Sequence, residues 1–402
     1  MPKRSLFQMI FGTKGDKPTP KNYQLLSLLN GYQAIWTNPD GSLYNNDQIR
    51  ACIDAIARNG AKLNPKHIRY SLDENGNEVV ERINGRVQRL ISKKPNELMK
   101  AYDFYYKIIS QVELYNNAFV YIRRNEKKEP VGLYPIKSNQ YELLELGGNI
   151  YIKFWFNSGQ TYVASLQDDV IHIKRFFCEE DILGGNTTPI TKVMSIQHVI
   201  NEGIVNAIKT TQAIKGVLKS NKGLLKPEDI KHMRDTFVKD FTESEAGIGG
   251  LDSTMDFKEI NLSPTTATDG QIKKYDDQVN NYFGVNDDIK QSKYDEQTFT
   301  AFYESKLEPY AIQFSQEFTN KLFSIGEIEH GNEIVFEANR LNYASNTTKA
   351  NIVKVLLYYG IIKKNEAREI FNLAPTPDGD VYPQSLATNI DGLGLDDNTK
   401  GK

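Results

Sequence analysis

The chain has 402 residues, 39% of them hydrophobic and 25% charged, with 49 Lys and Arg against 51 Asp and Glu and only two cysteines. A net charge of −2 argues against a tight, sequence-specific DNA binder, whose affinity normally rests on many phosphate contacts. Cys52 and Cys178 lie far apart without CxxC spacing, which excludes a disulfide framework and fits a reducing compartment. The length exceeds one ordinary core and predicts two or three subdomains.

Residues 1–39, rich in Gly, Pro, Lys and Asn, read as a flexible arm. The apolar stretch from Leu6 to Phe11 is too short for a signal segment. No apolar run reaches the roughly 18 residues of a membrane span, so neither secretion nor a membrane partner is expected. Asn45 or Asn46 caps a predicted helix whose Ile49, Cys52, Ile53 and Ile56 fall on one face. A second helix is predicted from Pro95-Asn96 to Tyr115, with Leu98, Tyr102, Tyr105, Ile108, Ile109 and Val112 on its apolar side.

From Asn117 to Phe177 the period becomes strand-like. AFVYIRR, VGLYPI, YELLEL, YIKFWF and DVIHIKRF are short runs of β-formers between Gly, Asn and Pro turns, and predict five or six strands. Thr187 or Thr188, before Pro189, opens a long helix to about Lys215. A short apolar run, a helix from Pro227 to Ser244, a strand near 256–262 and a helix from Asp269 to Phe283 follow. A polar gap, Gly284 to Gln297, precedes a helix from Thr298 to Phe323, expected to bend at Pro309. A strand at 333–337 and two helices close the chain. Asn365 is the expected cap of the last helix, and residues 381–402 form a polar tail.

Catalytic motifs are missing from the sequence. The five histidines are scattered without HExxH spacing, and His172 on an apolar strand reads as a hydrogen-bonded core or interface residue. Gly184-Gly185-Asn186-Thr187-Thr188 lacks the Lys of a phosphate-binding loop, and no Gly-x-Ser-x-Gly occurs. No cofactor or metal is expected.

Several strings, in order, carry a resemblance: YNNDQIRACIDAIARNGAKL, RLISKKPNELMKAYDF, DVIHIKRF, FGVNDDIKQ with EQTFTAFYESKLEPY, and GIIKKNEAREIF followed by Pro and Gly-Asp. Together they span residues 44–383 and resemble the portal proteins of tailed double-stranded DNA phages. The chain departs from that family at Asn116-Asn117, where Gly-Asn is common, and at Asn286, where Pro is usual. The first departure keeps a residue that tolerates positive φ; the second predicts a less rigid start to the polar gap.

The resemblance implies an α+β portal fold and a non-enzymatic ring subunit, typically one of twelve, at one capsid vertex. Residues 40–188 and 299–344 would form the wing, 189–215 and 266–283 two stem helices, and 216–265 a small α/β clip. Residues 284–298 would be the tunnel loop and 345–380 the helical crown. The implied partners are further copies of the chain, the terminase large subunit, a head–tail adaptor, major capsid and scaffolding proteins, and double-stranded DNA held without sequence preference. Lys290 and Lys293 in the loop, then Lys273 and Lys274 on the second stem helix, are the candidate DNA-facing residues. Ile230, Met233, Phe237 and Phe241 on the clip helix are the candidate interface, although in a monomer such a stripe is first of all the helix's own core face, and a solvated helix face explains Lys273 and Lys274 equally well. The rival readings are a DNA-processing enzyme, such as a nuclease or nucleotidyltransferase, and a head–tail adaptor that is not a portal. An enzyme would need clustered carboxylates and a basic face.

Overall fold

The computed structural model describes residues 10–11, 24–25, 35–37, 42–73, 76–137, 140–156, 158–178, 181–213, 216–220, 226–243, 255–259, 268–337, 346–371 and 373–383. The chain divides into two compact units, one made of Met1–Thr187 with Asn280–Lys402 and the other of Thr188–Val279. Most of the expected N-terminal arm and C-terminal tail lies outside the described residues.

The larger unit begins with two short strands, β1 (Gln24–Leu25) and β2 (Ile35–Thr37). Helix α1 (Asp47–Gly60) follows, and its cap is Asn46, whose side chain accepts the Ile49 N–H at 3.0 Å. Ile49, Cys52, Ile53 and Ile56 are all buried, as the spacing predicts. A hairpin that the sequence reading missed comes next, β3 (Asn64–Leu72) and β4 (Glu78–Arg82). Its residues alternate poorly and β4 is exposed throughout, so the burial period that marks a strand is weak.

Helix α2 (Arg86–Ser92) precedes α3 (Ala101–Tyr115). The latter starts later than Pro95-Asn96 suggested. The Asn96 side chain accepts the N–H groups of Leu98 and Met99 at 2.8 and 2.9 Å and donates to Leu133 O, forming a turn instead of a helix start. Leu98 and Tyr102 are accordingly exposed, while Tyr105, Ile108, Ile109 and Val112 are buried.

The predicted strand region holds six strands, but in two sheets. Strands β5 (Asn117–Arg124), β6 (Pro130–Ile136) and β10 (Val170–Lys174) form one in the order β10-β5-β6. Strands β7 (Gln140–Leu146), β8 (Asn149–Trp155) and β9 (Thr161–Ser165) form the other, with β1 and β2 on the far side of β7. All pairings are antiparallel. Phe119, Tyr141, Leu143, Ile152 and Phe154 fill the core between them.

The smaller unit contains helix α4 (Thr188–Ala213), strand β11 (Gly216–Ser220), helix α5 (Pro227–Glu243), strand β12 (Met255–Glu259) and most of helix α6 (Asp269–Phe283). β11 and β12 pair antiparallel, with Leu218 opposite Phe257. Thr268 and Gln271 cap α6 reciprocally, each side chain bonded to the other's backbone N–H.

Back in the larger unit, the expected polar gap contains a further helix, α7 (Asp287–Gln291). The predicted 298–323 helix is one rod in three parts: α8 (Glu296–Phe302), a π-helical turn (Tyr303–Leu307) and α9 (Glu308–Leu322). The π turn ends two residues before Pro309, a residue that cannot donate a backbone hydrogen bond, so the regular α-helical ladder is interrupted ahead of the residue where a bend was expected. A short helix, α10 (Ile325–Glu329), leads to β13 (Asn332–Glu337), which pairs with β3.

The other edge of β13 is met by α9 rather than by a strand. Ser315 Oγ and Thr319 Oγ1 accept the Phe336 and Ile334 N–H groups, both at 2.9 Å. Four helical residues rise about 6 Å and two strand residues about 6.8 Å, so hydroxyls at i and i+4 match alternate strand donors.

Helices α11 (Asn346–Tyr358) and α12 (Lys364–Ile370) complete the described chain, with Gly360 at φ +66° ending the first. The cap of α12 is Lys363, not Asn365. Asn365 instead ties the helix to the loop after it, donating to Thr376 O and Asp380 Oδ1 and accepting the Thr376 N–H at 2.9 Å. Gly379 is buried there, and the position requires glycine because any Cβ would stand 2.0 Å from Asn365 Oδ1.

Candidate functional site

The segment expected to be a loop is pinned at several points. Gly284 turns the chain at φ +67° after α6, and Val285 is buried. Asn286 then caps α7 by accepting the Ile289 N–H at 2.9 Å. The missing proline therefore leaves no slack, because an Asx cap fixes the same residue by another route. Ser292, at φ +58°, ends the turn, and Asp295 caps α8 by accepting the Thr298 N–H at 2.8 Å.

Arg58, in the last turn of α1, holds this segment from below. One guanidinium nitrogen, Nη2, donates to Ile289 O (3.2 Å), Lys290 O (3.0 Å) and Ser292 Oγ (3.1 Å). Those carbonyls lie at the end of α7, where a cation is best placed, and Ile289 O also accepts the Ser292 N–H at 3.3 Å. Arg58 Nη1 is 3.5 Å from Asp54, whose other oxygen accepts the Tyr106 hydroxyl at 2.8 Å.

The four candidate DNA-facing lysines separate on exposure. Lys293, Lys273 and Lys274 are exposed. Lys290 is not a free cation: its side chain is only 13% exposed and its Nζ lies 2.7 Å from Asp287 Oδ1 and 2.8 Å from Asn280 Oδ1. The i,i+3 position of Asp287 on the same short helix makes that pairing local, and a loop reading could not contain it. On α5, the helix expected to belong to a clip, Ile230 is half exposed and Met233 and Phe237 are half buried. The side chain of Phe241 lies outside the described residues.

A buried ionic knot, also unforeseen, sits at the root of this region. Glu113 has no side-chain exposure, and its Oε1 accepts from Tyr310 Oη (2.6 Å) and Lys306 Nζ (2.8 Å). Its Oε2 pairs with Arg175, which also donates to Tyr282 O and packs over the rings of Phe176 and Tyr282. Burial pushes the Lys306 ammonium below its ordinary range against the opposing pull of Glu113, and pushes the Tyr310 phenol well up. The π turn is what carries Lys306 to this point. One signal was available in the sequence, since Glu113 follows Ile109 by four residues and so lies on the apolar stripe of its helix.

Asn116, in the left-handed conformation at φ +59°, stands beside the knot. Its amide donates to Gly185 O and Asn186 O at 3.0 and 3.1 Å, and lies 3.5 Å from the Tyr282 hydroxyl. The chain just before α4 and the end of α6 are thus gathered at one place in the larger unit. Gly184 is required there, as a Cβ would lie 2.2 Å from Asn116 O.

Among the described residues no group of three or more His, Cys, Asp or Glu could hold a metal ion, and no helix is long and apolar enough to cross a membrane. His172 is a core residue, with Nε2 2.9 Å from Asn117 Oδ1 and its ring stacked on Phe119.

A two-unit α+β subunit, its functional segments held by structural networks, is the class these features define. The chain belongs to the phage portal protein family, whose profile matches residues 47–372. That family is structural rather than enzymatic. The portal protein of Enterobacteria phage HK97 is 20% identical over 336 residues, covering 78% of this chain and 75% of that protein. Among solved structures, the neck of a gene transfer agent particle computed with C12 symmetry is similar with a TM-score of 0.58 at 16% identity, over 85% of this chain and 96% of that one. An HK97-family phage portal protein from Corynebacterium diphtheriae gives a TM-score of 0.50 at 11% identity, over 77% and 98%.

Proposed function

We propose that this portal protein acts as a closed ring of identical copies at one capsid vertex, conducting DNA during packaging and ejection. The observation that carries the reading is in the smaller unit. Ile196, Val199, Val205 and Ile208 on α4 are 43–65% exposed, and Ile230 on α5 is 50% exposed. A run of exposed aliphatic side chains on one long helix marks a protein contact. Heterologous contacts that close by rotation give a ring, and the fold relative in the C12 neck supports twelve copies.

In this reading the smaller unit supplies the stem and clip, which dock the terminase large subunit during packaging and a head–tail adaptor afterwards. The larger unit faces the major capsid and scaffolding proteins. Residues 284–298 face the duplex, with Lys293 as the principal contact, and the exposed Lys273 and Lys274 on α6 are further contacts. Lys290 serves the shape of the segment rather than contacting DNA. Few, exposed cations interspersed with carboxylates centre a moving duplex without gripping it. ATP hydrolysis belongs to the terminase, and the finished ring resides in the virion after assembly in the host cytoplasm.

The test is the native mass of the purified chain with negative-stain imaging. Twelve copies of 45.8 kDa give about 550 kDa and a particle with a central hole. A monodisperse dimer that cleaves DNA with a divalent metal would overturn the reading in favour of a nuclease.

A further inference from the structure

We infer that Arg58 is the positioning residue of the DNA-facing segment, a latch that holds residues 287–293 against α1. The inference rests on the proposed role of that segment and adds a residue outside it. Three observations converge. A single guanidinium nitrogen binds two carbonyls and one hydroxyl of the segment. Arg58 is itself steered by Asp54, which Tyr106 holds from α3 at 2.8 Å. On the other flank, Lys290 ties the same turn to Asn280 and Asp287.

The geometry makes the latch specific to arginine. Ile289 O, Lys290 O and Ser292 Oγ all fall within 3.2 Å of Nη2, while Nη1 faces Asp54. A planar fork spans both partners at once; an ammonium has one nitrogen and must choose between them. A helix of five residues has no stability of its own. What keeps α7 folded is its caps, and at the carbonyl end Arg58 reinforces the backbone cap made by Ser292. Lys293 follows directly, with its N–H bonded to Asp288 O at 2.8 Å. The distance at which Lys293 stands from the duplex is therefore set through Arg58.

Hydrogen exchange on the full-length protein, read peptide by peptide, tests the latch, using Arg58→Met and Arg58→Lys. Arg58→Met keeps the aliphatic stem and removes the donors. It should raise exchange across 287–293 at least tenfold while 47–57 stays protected. Arg58→Lys should fall between it and the parent. Unchanged exchange across 287–293 in Arg58→Met overturns the inference, and so does loss of protection across all of α1, which would make Arg58 a packing residue.

Retention of DNA in filled particles is the second readout. Looser exchange with earlier DNA loss supports both the latch and the channel reading. Looser exchange with normal retention supports the latch and overturns the DNA-facing role of the segment.

Discussion

Glu113 and Lys306 meet at 2.8 Å where the carboxylate has no solvent exposure and the lysine side chain only 12%. Two more donors, Arg175 and Tyr310, complete the carboxylate's shell. Glu113→Gln removes the charge that compensates two buried cations. The expected cost is about 3–5 kcal/mol, the range for breaking a buried pair, read as a fall in the denaturation midpoint. Adding Lys306→Met should restore part of it, because one of the stranded cations is then gone.

His172 makes stability fall in acid. Burial first, and Lys174 and Lys321 second, push its imidazole down to about 3. The unfolded ring titrates near 6.5. Below that pH the unfolded chain takes up a proton that the folded chain refuses. The contribution is complete above about pH 6.5 and is lost as pH falls toward 3, with about 2 kcal/mol already lost at pH 5. His172→Gln should flatten the stability profile across that window, measured by urea unfolding at several pH values.

Gly379→Ala should loosen the end of the chain alone. The new Cβ meets Asn365 Oδ1 at 2.0 Å, so the network joining Asn365 to Thr376 and Asp380 has to open. A local cost of about 1–3 kcal/mol is the ordinary scale of such crowding. Limited proteolysis should show faster cleavage within 360–383 while the rest of the larger unit keeps its resistance.

Lys290 and Lys293 should behave differently although only two residues separate them. Lys290→Met removes contacts to Asp287 and Asn280, and should cost about 1 kcal/mol of stability. Lys293→Gln should leave stability unchanged and lower DNA retention, with a weaker dependence on salt. Equal effects of the two on DNA retention would show that Lys290 also reaches the duplex.

Val199 is 65% exposed on α4. Val199→Glu should therefore alter the folding free energy of the chain by no more than about 0.5 kcal/mol. The native mass should nevertheless shift from the ring to smaller species, because a carboxylate would be taken out of water between copies. Retention of the full ring mass would place this face outside the subunit contact.

Helices with clear faces were legible in the sequence. The 47–60 helix, its Asn46 cap and the 269–283 helix stand where the spacing put them. The left-handed Asn116 was legible too, because few other side chains tolerate that conformation. Less legible was anything decided by partners distant in sequence. Polar composition made 284–297 look open, yet the caps and Arg58 that fold it come from short-range turn chemistry combined with a residue more than two hundred positions away. Asn365 had the right residue type for a cap but is used by a loop eleven residues on. The charged knot around Glu113 was hidden for the same reason, since its members come from three separate stretches of chain.

The hydroxyls of Ser315 and Thr319 have a consequence for solubility. An unsealed strand edge is a template on which other chains pair. By occupying the outer donors of β13, one helix makes its three-stranded sheet one-ended among the described residues, with β4 as its remaining edge. A chain with alanine at both positions would leave those two strand donors without partners beneath the helix, a cost of about 1–3 kcal/mol for each buried group. Two oxygen atoms thus satisfy the strand donors that a neighbouring strand would otherwise have to meet.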